Sequence, residues 1–153
     1  MTKQYYFYEF EIGRLAICSE NNCITDICLA DSFNIKNCDF FESETIKEAA
    51  KELKAYFNKK LITFSVPIKL NGTDFQKKVW QELTKIPYGQ TRSYKEISIS
   101  INNDLAFRAV GNACNKNPIL IMVPCHRVIG SNKKMVGFAC GINIKDNLLN
   151  LEK

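Results

Sequence analysis

The sequence predicts an α+β protein: a small N-terminal unit built on an antiparallel sheet, then a mostly helical C-terminal domain containing a helix-turn-helix. Three observations predict it. Apolar runs separated by turn residues crowd the first 30 positions. Two capping boxes, Thr73-Asp74-Phe75-Gln76 and Ser93-Tyr94-Lys95-Glu96, each precede apolar residues at helical spacing. The charge divides along the same line. Residues 1–68 carry 8 Lys/Arg against 10 Asp/Glu, net −2, and residues 69–153 carry 13 against 6, net +7.

Taken in order, Tyr5 to Glu11 alternates as a strand, Gly13 marks a turn, and Leu15 to Cys18 is a second strand. Glu20-Asn21-Asn22 turns the chain into a third strand, Cys23 to Leu29, which completes a meander. Ser43 is an N-cap with Glu44 in the first turn, and Ile46, Ala49, Ala50, Leu53 and Phe57 follow on one helical stripe. Leu61 to Lys69, with Pro67 inside it, reads as the connector between a unit over 1–66 and a domain over 67–153. Phe75, Val79, Leu83 and Ile86 form the stripe of the next helix, which Pro87-Tyr88-Gly89 stops. The Ser93 box opens a second helix through Ile97 and Ile101. Asn102-Asn103 breaks it, and Asp104 is the expected cap of a third helix from Leu105 to about Asn115. The pair of short helices joined by a tight turn is the helix-turn-helix.

Composition narrows the class. With 153 residues, 46% hydrophobic and 24% charged, the chain suits one ordinary domain or two small ones. No run of about 18 apolar residues is present, so no membrane span is expected. MTKQYYFYEF does not read as a signal peptide, and the expected location is the cytoplasm. Seven cysteines stand at 18, 23, 28, 38, 114, 125 and 140, with one histidine at 126. Their number is odd and no CxxC pair occurs, so zinc-finger spacing is absent and reduced thiols are expected. The positive C-terminal half is the part a polyanion would prefer.

The third helix sharpens that reading. Arg108, Gly111, Asn112 and Asn115 share one face, and Ala106, Ala109 and Ala113 keep the rest slim. Such a helix can bring its backbone close to a partner and advance one guanidinium, a shape that fits a minor groove.

Beyond it runs Asn117-Pro118-Ile119-Leu120-Ile121-Met122-Val123-Pro124, ending at Cys125. Pro124 biases Val123 to an extended conformation and places Cys125 at the end of a rigid apolar segment. A thiol attacks as its thiolate, so its ordinary pKa of about 8.5 has to fall. His126 and Arg127 are the adjacent candidate bases or cations, although neighbours in an extended chain point apart, so a contact needs a turn or a bridging water.

Pro124-Cys125-His126-Arg127-Val128 resembles the active-site signature of the O6-alkylguanine-DNA alkyltransferases. Ile86 to Gly89, Ser93-Tyr94, Arg108 to Gly111, Asn117-Pro118, Gly137-Phe138 and the Gly141…Leu148-Leu149 segment are similar to that family's landmarks in order and spacing. The resemblance is strong over about 70–153 and extends to 1–69 only in general layout. It implies a ribonuclease-H-like N-terminal unit and a winged-helix-like catalytic domain. It also implies a direct-reversal repair reaction in which an alkyl group, typically methyl, moves irreversibly from the O6 atom of guanine to Cys125. O4-methylthymine is a second candidate substrate.

The resemblance implies roles residue by residue. Cys125 would be the acceptor, and His126 a base acting through water with Glu152 as its carboxylate partner. Asn117 would brace the active-site turns. Tyr94 would press on a DNA phosphate and polarise the leaving guanine. Arg108 would fill the gap left by the flipped base, with Gly111 and Ser93 also at the DNA surface. The Cys125 and Val128 carbonyls would read the guanine amino group, Phe138 and Cys140 would wall the pocket, and the Ala139 amide would support O6. No metal or cofactor is implied. The implied partner is double-stranded DNA containing O6-alkylguanine, bound through the minor groove by a monomer that touches no membrane.

Three positions depart from the family's pattern. Phe138 stands where tyrosine is usual, Cys140 where glycine or tryptophan is usual, and Phe107 precedes Arg108 where small residues are usual. Three rival readings remain at this level: a non-catalytic reader of alkylated bases, a Cys–His thiol hydrolase, and a plain DNA-binding regulator.

Overall fold

The computed structural model describes residues 2–130 and 141–153, and the chain divides into two compact units, Met1–Leu70 and Asn71–Lys153. In the first, β1 (Lys3–Phe10), β2 (Gly13–Glu20) and β3 (Cys23–Leu29) form the expected antiparallel meander. Asn21 and Asn22 both take positive φ, 52° and 64°. This is the geometry of a two-residue hairpin turn whose twist matches its strands, and asparagine tolerates it.

The sheet holds one strand that periodicity does not reveal. β4 (Cys38–Phe40) adds to β1 in parallel, giving the order β3-β2-β1-β4 and making the sheet mixed. Three residues are too few to carry a period-two signal.

Helix α1 (Glu44–Phe57) begins at Ser43, whose hydroxyl accepts from the Ile46 amide at 3.2 Å. Its buried stripe of Ile46, Ala49, Leu53 and Tyr56 contributes to a core with Leu15, Ile17, Ile24 and Ile27. The connector is stitched to this unit. The Ile24 amide donates to the Pro67 carbonyl and the Lys69 amide to the Ile24 carbonyl, both at 2.8 Å. The buried Glu52 carboxylate accepts from the Ser65 and Val66 amides at 3.0 and 3.1 Å.

The second unit is mostly helical. Complete capping boxes open α2 (Asp74–Leu83) at Thr73 and α3 (Tyr94–Ser100) at Ser93. Between them, the two-residue β5 (Arg92–Ser93) pairs in parallel with β6 (Val128–Ile129). Val79 and Leu83 are buried as the stripe requires. Trp80, which the stripe omits, is buried as well and donates its indole N–H to the Ala113 carbonyl at 2.8 Å.

The third helix starts later than expected. α4 spans Phe107–Asn115 with Ala106 at its N-cap and no side-chain capping bond. The Ala106 amide instead turns back to the Asn103 carbonyl at 3.1 Å. Asp104 therefore does not cap it, and Leu105 is left outside the helix and exposed. The last element is α5 (Ile142–Leu151). No helix among the described residues is long and apolar enough to cross a membrane.

Candidate active site

The rigid apolar run before Cys125 is folded into a compact turn. Ile119 to Val123 is buried throughout. The Val123 amide returns to the Ile119 carbonyl at 3.0 Å, and Ile121 sits at φ 73°. A β-branched residue rarely adopts that conformation, which costs about 1–3 kcal/mol and needs support from its surroundings. Asn117 supplies it. Its Oδ1 accepts from the Ile119 amide at 3.0 Å and its Nδ2 donates to the Val123 carbonyl at 2.7 Å, spanning both ends of the turn.

The same Nδ2 lies 3.2 Å from Cys125 Sγ. A donor aimed at sulfur favours the thiolate over the thiol. Cys125 is buried and opens a single 3₁₀ turn, Cys125–Arg127, which closes when the Arg127 amide donates to the Pro124 carbonyl at 3.0 Å. Cys125 and His126 therefore sit in a turn and not in an extended chain.

His126 is fully buried, and its Nε2 lies 2.7 Å from Glu152 Oε2. A carboxylate there places the ring proton on Nε2 and leaves Nδ1 as an acceptor. Nδ1 is buried and has no hydrogen-bond partner among the described residues. Burial lowers the pKa of His126, and the Glu152 carboxylate only partly opposes this, so the ring is a neutral base.

Glu152 does more than orient a histidine. Its carboxylate also accepts from Arg127 Nε at 2.8 Å, from Arg127 Nη2 at 3.0 Å and from the Gly89 amide at 3.2 Å. Arg127 Nη1 reaches the Ile86 carbonyl at 2.8 Å. The guanidinium of Arg127 is therefore committed to Glu152, and it does not serve as the cation for the thiol. The arrangement joins the Ile86–Gly89 turn, the Cys125 turn and the end of α5 around one carboxylate.

Lys145, which sequence reasoning missed, is completely buried on α5. Its Nζ donates to the Val128 carbonyl at 2.5 Å, lies 3.5 Å from the Tyr94 hydroxyl and stands 5.7 Å from the centre of the Tyr94 ring. Burial lowers its pKa, while its attraction to Cys125 and Cys114 works the other way. The signal was present in the sequence: Lys145, Leu148 and Glu152 occupy one face of α5. A lysine on an apolar stripe marks a buried cation only if the stripe is known to face a site.

Tyr94 is the first residue of α3, fixed by the Ser93 cap. Burial, then the nearby Cys114 and Cys125 thiols, push its hydroxyl up to about 12, so the phenol stays protonated and able to donate. Gly111 of α4 stands over its ring. A Cβ added there would lie 3.9 Å from Tyr94 Cδ1 and Cε1, an ordinary contact, so packing among the described residues does not require the glycine. Arg108 and Asn112 are exposed on the same helix. The Val128 carbonyl already accepts from Lys145, leaving its second lone pair for any other donor. Phe138, Ala139 and Cys140 lie outside the described residues. Among those described, no three His, Cys, Asp or Glu side chains are grouped so as to hold a metal ion.

Residues 74–153 match the model of the 6-O-methylguanine DNA methyltransferase DNA-binding domain, and residues 3–70 that of the family's ribonuclease-like domain. This chain belongs to the 6-O-methylguanine DNA methyltransferase family. It is 54% identical over 119 residues to a methylated-DNA–protein-cysteine methyltransferase of Methanosarcina barkeri, covering 78% of this chain and 72% of that one. With the constitutive methylated-DNA–protein-cysteine methyltransferase of Bacillus subtilis it shares 40% identity over 152 residues, covering 95% and 92%. A crystal structure of Mycobacterium tuberculosis OGT in complex with DNA superposes with a TM-score of 0.92 at 41% identity, covering 97% of this chain and 92% of that one. The likeness spans both units, so the family's two-part layout extends across residues that carry no signature motif.

Proposed function

We propose that this protein repairs alkylated DNA by direct reversal, moving an alkyl group from O6 of guanine to Cys125 Sγ. The single observation that carries the reading is the set Asn117–Cys125 and His126–Glu152, with one imidazole nitrogen left as a buried acceptor. A water between the thiol and Nδ1 passes the thiol proton to His126, and Asn117 Nδ2 stabilises the thiolate. Sulfur then attacks the alkyl carbon in line with the carbon–oxygen bond. The S–C bond forms, the C–O bond breaks, and the electron pair leaves with the guanine. The Tyr94 phenol donates a hydrogen bond to the departing base; the guanine anion takes one proton from water and His126 returns the thiol proton to water, so no proton is gained or lost overall. No electron donor or group carrier is needed.

The target carbon lies inside a base stack, so the nucleotide has to be everted, which costs a few kcal/mol. Arg108 fills the space it leaves, from the slim exposed face of α4, and the protein approaches from the minor groove. The product is a thioether that water does not cleave, so each molecule acts once, as a monomer. A titration of duplex O6-methylguanine tests this: one methyl group should be removed per protein, and none by Cys125→Ser. Continued release after one equivalent would overturn it.

A further inference from the structure

Three large hydrophobic residues of the second unit are exposed among those described, and all lie at the corner joining α3 and α4. They are Ile99 on the last turn of α3, Leu105 at 84% exposure, and Phe107 at 46%. Large apolar side chains concentrated at one spot mark a contact surface. Phe107 is the first residue of α4, the second helix of the helix-turn-helix, and such helices meet a duplex with their N-terminal residues. On the helical wheel Gly111 and Asn115 fall between Phe107 and Arg108, with Asn112 just beyond Arg108. The same corner is therefore basic, slim and aromatic. It carries no acidic side chain except Asp104 in the preceding turn.

We propose that Phe107 is a second, aromatic wedge, which inserts its ring at the base step beside the one occupied by Arg108. This rests on the reading of the protein as a base-flipping repair protein and names a positioning residue for it. The occupant of the corner is duplex DNA. The half of the chain that contains it carries a net +7, and apolar wedges that unstack a step are a regular means of bending DNA toward a minor-groove binder. Arg108 replaces the lost base with a planar cation. Phe107 lowers the cost of opening the neighbouring step, because an aromatic face stacks on any base.

The experiment compares wild type, Phe107→Ala, Phe107→Leu and Phe107→Trp on duplex O6-methylguanine and on free O6-benzylguanine, with 2-aminopurine placed beside the lesion as a reporter of unstacking. Phe107→Ala should slow the duplex reaction about tenfold or more, from the loss of one stacking contact. It should lose far less on the free base and should abolish the 2-aminopurine signal. Trp should restore both readouts, and Leu should restore them only in part. Equal losses on both substrates, or an unchanged duplex rate, would overturn the wedge. So would a self-association of wild type that Phe107→Ala abolishes, since the corner would then be an interface between copies. Failure of wild type on both substrates would instead overturn the repair reading itself.

Discussion

His126 and Glu152, 26 positions apart, meet at 2.7 Å with both side chains buried, and the imidazole keeps its other nitrogen facing no protein partner among the described residues. The carboxylate holds Arg127 at the same time. One residue thus sets the tautomer of a base and neutralises a buried cation, so a single substitution should disturb both tasks.

Glu152→Gln removes the charge and keeps the shape. It leaves the Arg127 guanidinium buried without a counter-charge, for which breaking a buried pair typically costs about 3–5 kcal/mol. The expected outcome is a large fall in Tm together with slower alkyl transfer. An unchanged Tm would show that Arg127 finds another partner.

The depressed pKa of His126 has two consequences for pH dependence. In the unfolded chain the imidazole titrates near its ordinary value of about 6.5. Below that pH the unfolded state binds a proton that the folded state resists, so this group's contribution to stability is complete above about 6.5 and is lost as pH falls. The single-turnover rate should likewise stay level from neutral pH down to about 6.5 and decline only below it. An inflection above pH 7 would contradict the neutral base. Because the Tyr94 hydroxyl is pushed up to about 12, its ionisation should cause no loss of rate below about pH 10.

Lys145→Met keeps an unbranched side chain and deletes the buried cation. Transfer should slow on duplex and on free base alike, since Lys145 acts at the Tyr94 hydroxyl, at Val128 and on the Cys125 charge rather than on DNA. Alkylation of Cys125 by iodoacetamide at neutral pH should slow too. A loss confined to duplex substrate would move Lys145 from the chemistry to DNA binding.

Gly111→Ala should behave in the opposite sense for fold and function. Alanine favours a helix interior by about 1 kcal/mol over glycine, and the added methyl meets the Tyr94 ring at an ordinary distance. Thermal unfolding should shift upward while repair of duplex DNA slows, because the methyl thickens the slim face of α4 beside Tyr94. A variant that is both more stable and equally fast would show that the slim face has no role in docking.

What was legible in the sequence was local. Ser43, Thr73 and Ser93 announce their helices because a cap depends on residues three apart. Asp104 misleads for the same reason: a suitable residue is present, but the Asn103–Ala106 turn delays the helix. The run from Ile119 to Val123 reads as a rigid apolar segment, but apolarity does not report φ, and its turn depends on a clamp from Asn117. β4 is invisible because its parallel pairing is decided by distant residues. The His126–Glu152 pairing was suggested by the family resemblance and not by spacing. Lys145 shares a helical face with Leu148 and Glu152, but its burial is a tertiary event, because the pattern does not say which way that face turns.

The central claim is best tested by digesting the protein after reaction with duplex O6-methylguanine and mapping the modified peptide by mass spectrometry. A single methyl group on Cys125, absent from Cys114 and from every other cysteine, is the expected result. Methyl on a different residue, or an unmodified protein beside repaired DNA, would contradict it.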